Sequence, residues 1–186
     1  YILFVGTLEK RKNVSRLIEA FAHLRNLQSD MRHVLVLAGF SKDGESVRFP
    51  RLKEKVSQLG LGQSVRFLGE VPDDNLPALY RGAAVFVFPS LAEGFGLPPL
   101  EAMACGAPVV CSRASSLPEV VGDAGRLVDA SDAGQLAEAM ITLIQDGEEA
   151  ARLRALGLRR ARSYRWPGIA SKWVVLLSEI TCSGAR

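Results

Sequence analysis

Cysteine and histidine are scarce in this sequence, and long apolar runs and any large excess of one charge are missing. Three cysteines in 186 residues (Cys105, Cys111 and Cys182) make an odd set with no CxxC pair, which excludes a disulfide framework and the usual zinc spacings. Cys105 and Cys111 lie among small or apolar neighbours and read as buried, reduced thiols. The two histidines, His23 and His33, have no ligand partners at metal spacing, and no Asp-x-Asp motif is present, so no metal site is expected. Lys and Arg number 23 against 20 Asp and Glu, a formal charge of +3, which gives no electrostatic footprint for nucleic acid. The longest wholly apolar runs, such as Val85–Phe88 and Trp173–Leu177, fall far short of the roughly 20 residues that cross a bilayer. The chain opens on Tyr1-Ile2-Leu3-Phe4-Val5 without an initiator Met or leader and is expected to be part of a longer protein.

What is present is ordinary globular material: 48% hydrophobic and 23% charged residues, in a chain of one-domain length. Short apolar runs (Ile2–Val5, Val34–Ala38, Val65–Leu68, Ala84–Phe88, Pro108–Cys111, Leu127–Val128) alternate with stretches of helical period. Most of the runs lack in/out alternation, as strands covered on both faces do. Val14, Leu17, Ile18 and Phe21 mark the apolar face of a first helix, with Asn13 or Ser15 as its cap. Further helices are predicted over 50–59, from 73 through Tyr80, from Leu97-Pro98-Pro99 to Gly106, from near Asp132, over 148–163, and from Trp166-Pro167 onward. Trp166 and Trp173 are expected as packing anchors, and the arginines of 152–165 as a solvated face. The alternation predicts an α/β fold: a doubly wound, mostly parallel Rossmann-like sheet with helices on both faces. Ligands of such sheets sit beyond the carboxyl ends of the strands.

The loop after the fourth strand reads Pro89-Ser90-Leu91-Ala92-Glu93-Gly94-Phe95-Gly96-Leu97-Pro98-Pro99-Leu100-Glu101. Two glycines before a helix start let N–H groups converge on an anion, and the helix dipole adds about half a positive charge there. Glu93 lies at the lip of this cradle, and Glu101 one turn into the helix suits a cis-diol such as ribose. The same run is also compatible with an ordinary loop entering a helix. A P-loop is excluded, because Gly39–Gly44 continues with Glu45 where Lys is needed, and Pro99 breaks a G-x-G-x-x-G fingerprint.

Glu93 and Glu101 match the E-x7-E pattern of retaining glycosyltransferases of the GT-B fold, and the run from Glu93 to Val110 resembles the consensus of their large family 4 group. Three further stretches are similar: Val5-Gly6-Thr7-Leu8-Glu9 with Arg11-Lys12-Asn13, Val65–Gly69 followed by Val71-Pro72, and Leu117–Gly125. The resemblance runs from Tyr1 to about Trp173 and implies a single donor-binding domain over 1–186, with 166–186 a C-terminal helix and the acceptor domain outside this chain. It implies Glu93, Lys12 and Arg11 as catalytic residues: the cations on the donor diphosphate, Glu93 on hydroxyls of the transferred sugar. It further implies that Gly6, Thr7, Gly94, Phe95, Gly96 and Leu97 line the donor, that Val71 and Leu76 meet the base, and that Glu101 holds the ribose.

The resemblance departs at Thr7, where many relatives carry Arg, and Arg11 is the candidate replacement. The implied reaction is retaining sugar transfer from a donor such as a UDP- or GDP-sugar to an acceptor hydroxyl, without metal or other cofactor. The acceptor is not specified. The expected location is cytoplasmic, with any contact to the inner face of a membrane made through the other half. Two alternatives stay open: a nucleotide-binding scaffold of the same fold without transferase activity, and a GT-B sugar-nucleotide epimerase.

Overall fold

In the computed structural model, which describes residues 1–40 and 48–183, six strands form one sheet in the order β3-β2-β1-β4-β5-β6. They are β1 (Ile2–Val5), β2 (Leu35–Ala38), β3 (Val65–Gly69), β4 (Val85–Phe88), β5 (Val109–Ser112) and β6 (Arg126–Val128). Every neighbouring pair is parallel. The central strand β1 aligns Ile2 with Leu35 on one side and with Val85 on the other. β2, β4 and β5 are buried at every position, which is why their sequences are apolar without alternation. β3 is one of the two edge strands, and buried Val65 alternates with exposed Arg66 along it, the pattern of a strand with one face toward solvent.

The helices are α1 (Val14–Leu27), α2 (Arg48–Gln58), α3 (Leu76–Arg81), α4 (Leu97–Ala104), α5 (Leu117–Val121), α6 (Ala133–Gln145), α7 (Gly147–Arg162) and α8 (Trp166–Ser183). α1 packs with α2 and α6, while α4 packs with α3, α5 and α7. These two groups are the helix layers of the doubly wound sheet. The predicted strands and long helices are all observed within a few residues of their expected bounds. The Gly39–Gly44 stretch, excluded above as a P-loop, lies partly outside the described residues.

Several local expectations fail, each for a physical reason. Asn13, not Ser15, occupies the N-cap position of α1, but its side chain makes no capping hydrogen bond. Asn13 adopts the left-handed conformation (φ 56°), and its amide Nδ2 donates to the Ala130 carbonyl at 2.8 Å instead. The Asp132 side chain does cap α6, accepting from the N–H groups of Gly134 and Gln135. α5 is absent from the predicted helices; five residues give too little periodicity to betray one. Cys111 is fully buried, but Cys105 is only half-buried. Trp166 and Trp173, expected as anchors, stand 79% and 58% exposed. Arg160, expected in a solvated face, turns inward and donates from Nε to the Val120 carbonyl at 2.6 Å and from its terminal nitrogen to the Glu119 carbonyl.

Candidate functional site

The sheet order reverses between β1 and β4, so the loops leaving these two strands face one another across a crevice. The loop from β1 is short. After Gly6 and Thr7, a single 3-10 turn (Lys10–Lys12) turns the chain toward α1, and Asn13 closes it. This turn buries Lys12, although it belongs to a basic triplet that alone would read as surface. Lys12 lies along the Phe88 ring, with Nζ 4.6 Å from its centroid.

Lys12 Nζ reaches Glu93 Oε1 at 2.5 Å, and Arg11 approaches Glu93 Oε2 at 3.1 Å. A third donor, Ser90 Oγ, gives its proton to Oε1 at 2.6 Å. Burial by itself would push the Glu93 carboxyl up. The hydrogen bonds from Lys12 and Ser90 and the charges of Lys12 and Arg11 outweigh it and hold this carboxyl below its ordinary value. Arg11 is shared, since its Nε also donates to Glu9 Oε2 at 2.8 Å. The main chain fixes the same juxtaposition, because the N–H of Leu91 donates to the Arg11 carbonyl at 2.7 Å.

Beyond Glu93 the chain passes Gly94, Phe95 and Gly96 into α4. Gly96 sits at φ 101°, and a Cβ there would come within 2.6 Å of Leu117 Cδ2. Ser116 Oγ lies 2.9 Å from the Phe95 carbonyl oxygen and donates to it. The Phe95 ring meets Tyr164 edge-on at 5.8 Å. Pro98 and Pro99 occupy the first turn of α4 and bring no N–H. The donors at this helix start therefore come from the residues just before them, Gly94 to Leu97.

Gly6, Thr7, Gly39, Phe40, Val71 and Leu76 line a hollow of about 230 Å³ beside the β1 loop, with Glu70 and Asp73 at its wall. Its floor is main chain against main chain: a Cβ on Gly39 (φ 138°) would lie 1.9 Å from the Gly6 carbonyl oxygen, so only glycine fits. Thr7 Oγ1 is buried with no hydrogen-bond partner among the described residues. Glu101 is exposed on α4 and is not part of the Lys12–Arg11–Glu93 group. Its Oε2 accepts instead from the Tyr80 hydroxyl at 2.9 Å.

The structure thus brings Arg11, Lys12 and Glu93 into contact, sets Gly94–Leu97 next to them in the chain, and places Gly6, Thr7, Val71 and Leu76 around one hollow. Sequence reasoning missed Ser90, Ser116 and Tyr80. Ser90, three residues before Glu93, carried a weak signal; a tyrosine on an apolar helix face carried none. Among the described residues, no three His, Cys, Asp or Glu side chains are placed to hold a metal ion, and no helix is long and apolar enough to cross a membrane.

Residues 1–159 match the family model described as Glycosyl transferases group 1. The chain is 41% identical over 174 residues to O-antigen chain mannosyltransferase B of Escherichia coli, covering 94% of this chain and 44% of that protein. It is 36% identical over 190 residues to D-inositol 3-phosphate glycosyltransferase of Corynebacterium efficiens, covering 98% and 44%. The chain thus spans less than half the length of these curated relatives. Among solved structures it superposes on Anabaena HepE in complex with UDP and glucose with a TM-score of 0.84 and 28% identity, over 96% of this chain and 48% of that one. It also superposes on the C-terminal domain of a glycosyl transferase group 1 family protein, LpcC from Francisella tularensis, with a TM-score of 0.77 and 30% identity, over 88% and 84%. The fold is the Rossmann-like half of a GT-B glycosyltransferase, and the chain belongs to the glycosyl transferases group 1 family.

Proposed function

We propose that this chain is the donor-binding half of a retaining glycosyltransferase, which takes a nucleoside-diphosphate sugar such as a UDP- or GDP-sugar and needs no metal ion. The observation that carries the reading is the Lys12–Glu93–Arg11 group, set at the sheet reversal and followed directly by the glycine run that opens α4. Two cations and a helix N-terminus supply the positive charge that a departing diphosphate needs, the work a divalent ion does elsewhere. HepE, bound to UDP and glucose at the same fold, supports the choice of ligand class.

In this reading the diphosphate lies between Lys12, Arg11 and the N–H groups of Gly94 to Leu97, with Phe95 and Gly96 shaping the turn. The base enters the hollow at Val71 and Leu76, against Gly6 and Thr7. Arg11 takes the place of the arginine that many relatives carry at the Thr7 position. Its guanidinium has five N–H donors and is largely solvent-facing, so pairing with Glu9 and Glu93 does not exhaust it. Glu93, pinned by three donors, presents its remaining lone pairs to hydroxyls of the transferred sugar. The acceptor hydroxyl attacks the anomeric carbon on the face from which the nucleoside diphosphate departs. As the new C–O bond forms, the C–O bond to phosphate breaks, and the hydroxyl proton passes to a donor phosphate oxygen. Lys12 and the α4 N-terminus stabilise the leaving charge. The acceptor site belongs to a second domain of the full-length protein, and the reaction takes place in the cytoplasm.

Calorimetric titration of the chain with UDP, GDP and ADP in EDTA tests the donor half. Saturable binding of one diphosphate, weakened in Glu101→Ala, is expected; no binding of any of the three overturns the reading. The anomeric configuration of product made by the full-length protein tests retention.

A further inference from the structure

Tyr80 is 1% exposed, and its ring is packed edge-on against Phe86 at 5.3 Å between centroids. Its hydroxyl donates to Glu101 Oε2 at 2.9 Å. Burial raises the phenol above its ordinary range, and the Glu101 carboxylate raises it further, so the group stays a neutral donor at any physiological pH. Glu101 itself is exposed, and among the described residues it makes no salt bridge. An exposed glutamate on a helix normally samples several rotamers. Here a core-anchored phenol holds one of the two carboxylate oxygens, Oε2, and so restricts the rotamers open to Glu101.

We propose that Tyr80 is a positioning residue: it orients Glu101 so that this carboxylate distinguishes a ribose cis-diol from a sugar lacking one of the two hydroxyls. The inference rests on the donor reading above, in which Glu101 meets the ribose. A bidentate contact needs both oxygen positions held together, because a freely rotating carboxylate meets each hydroxyl singly and loses rotamer entropy on binding. The specificity of Glu101 for ribose thus depends on a residue that never touches the nucleotide. Tyr80 reaches it from α3, two elements away from the helix that carries Glu101.

The test compares UDP, GDP and ADP with their 2′-deoxy counterparts, titrated by calorimetry into the wild-type chain, Tyr80→Phe and Glu101→Ala. A hydrogen bond to a charged group predicts that the wild-type chain prefers the ribonucleotide by about tenfold or more. In Tyr80→Phe this ratio is expected to fall to about threefold or less, with melting temperature little changed, and it falls in Glu101→Ala as well. A purely structural role for Tyr80 weakens both ligands equally and leaves the ratio intact. A ratio lost in Glu101→Ala but kept in Tyr80→Phe overturns this inference alone. A ratio kept in Glu101→Ala removes Glu101 from the ribose and overturns the inference together with that part of the donor reading, and absence of all diphosphate binding overturns both.

Should Tyr80→Phe not fold, the chain labelled with 3-fluorotyrosine gives a second readout. It contains three tyrosines, so Tyr1→Phe and Tyr164→Phe assign the Tyr80 fluorine resonance by difference. That resonance moves when the ribonucleotide binds and not when the deoxy form does. Equal movement with both overturns the proposal.

Discussion

Lys12 Nζ lies 2.5 Å from Glu93 Oε1, a pair separated by 81 residues of chain and almost wholly removed from solvent on both sides. Ion pairs this deep are seldom favourable on balance, since desolvating two charges consumes most of their attraction. This one keeps its charges because Ser90 and Arg11 also donate to the carboxylate. It is a device for placing a cation and an anion at the crevice rather than a source of stability.

Lys12→Ala is therefore expected to be costly. It leaves Glu93 buried with Ser90 and a mostly solvent-facing Arg11, and losing one partner of such a pair destabilises by about 3 kcal/mol. Urea unfolding at neutral pH measures the loss. A change within a few tenths of a kcal/mol would contradict the burial of this pair.

The pH dependence follows from the same carboxyl. Its folded pKa is held below the ordinary value, so its contribution is complete above the unfolded carboxylate pKa and is lost as the pH falls through the lowered folded value. Glu93→Gln lacks this contribution. The stability gap between wild type and Glu93→Gln should be widest near neutrality and narrow as the solution is acidified below about pH 4. Thermal melts in a series of buffers show whether the curves converge; a gap that widens on acidification would reverse the sign argued here.

Three glycines near the site predict a graded series on replacement by alanine. Gly39→Ala is the most severe, because its Cβ would meet the Gly6 carbonyl oxygen of a rigid strand end at 1.9 Å. Gly96→Ala combines a positive φ, worth about 1–2 kcal/mol for a residue with a Cβ, with a contact on Leu117. The flexible end of that leucine can move, so the variant should fold but bind diphosphate more weakly. Gly94→Ala meets nothing within 4 Å and should melt like wild type. Melting temperatures in any other order would count against the loop geometry.

Thr7→Val tests the hydroxyl that has no hydrogen-bond partner among the described residues. A buried oxygen without a partner is a liability that an isosteric methyl removes. The variant should be as stable as wild type or slightly more so, and should lose diphosphate or nucleoside affinity if the ligand supplies the missing partner. A loss of stability would mean that Thr7 Oγ1 is hydrogen-bonded in solution.

The strands were legible because β2, β4 and β5 are buried on both faces, which forces unbroken apolar runs at regular spacing. The Lys12–Arg11–Glu93 group was legible as a set of residues but not as a contact, since nothing local tells Lys12 to fold inward beneath a 3-10 turn while Lys10 stays out. Tyr80 and Arg160 were illegible for a shared reason. Each sits on a helix whose periodicity explains its burial or exposure, and only the packing of α3 on α4, or of α7 on α5, gives its polar end a partner. Trp166 and Trp173 show the opposite error, because residues of their size suggest packing that the described chain does not provide.

The hydrogen bond from the Leu91 N–H to the Arg11 carbonyl uses no side chain. It ties the two crevice loops through peptide groups, which every substitution at Arg11 or Leu91 other than Leu91→Pro leaves in place. Exchanging the cation at position 11, or moving that duty to position 7, changes the charge offered to a ligand without shifting the frame that holds Lys12 against Glu93. The crevice is thus free to be retuned for a different donor one residue at a time, with the register of its two walls inherited unchanged.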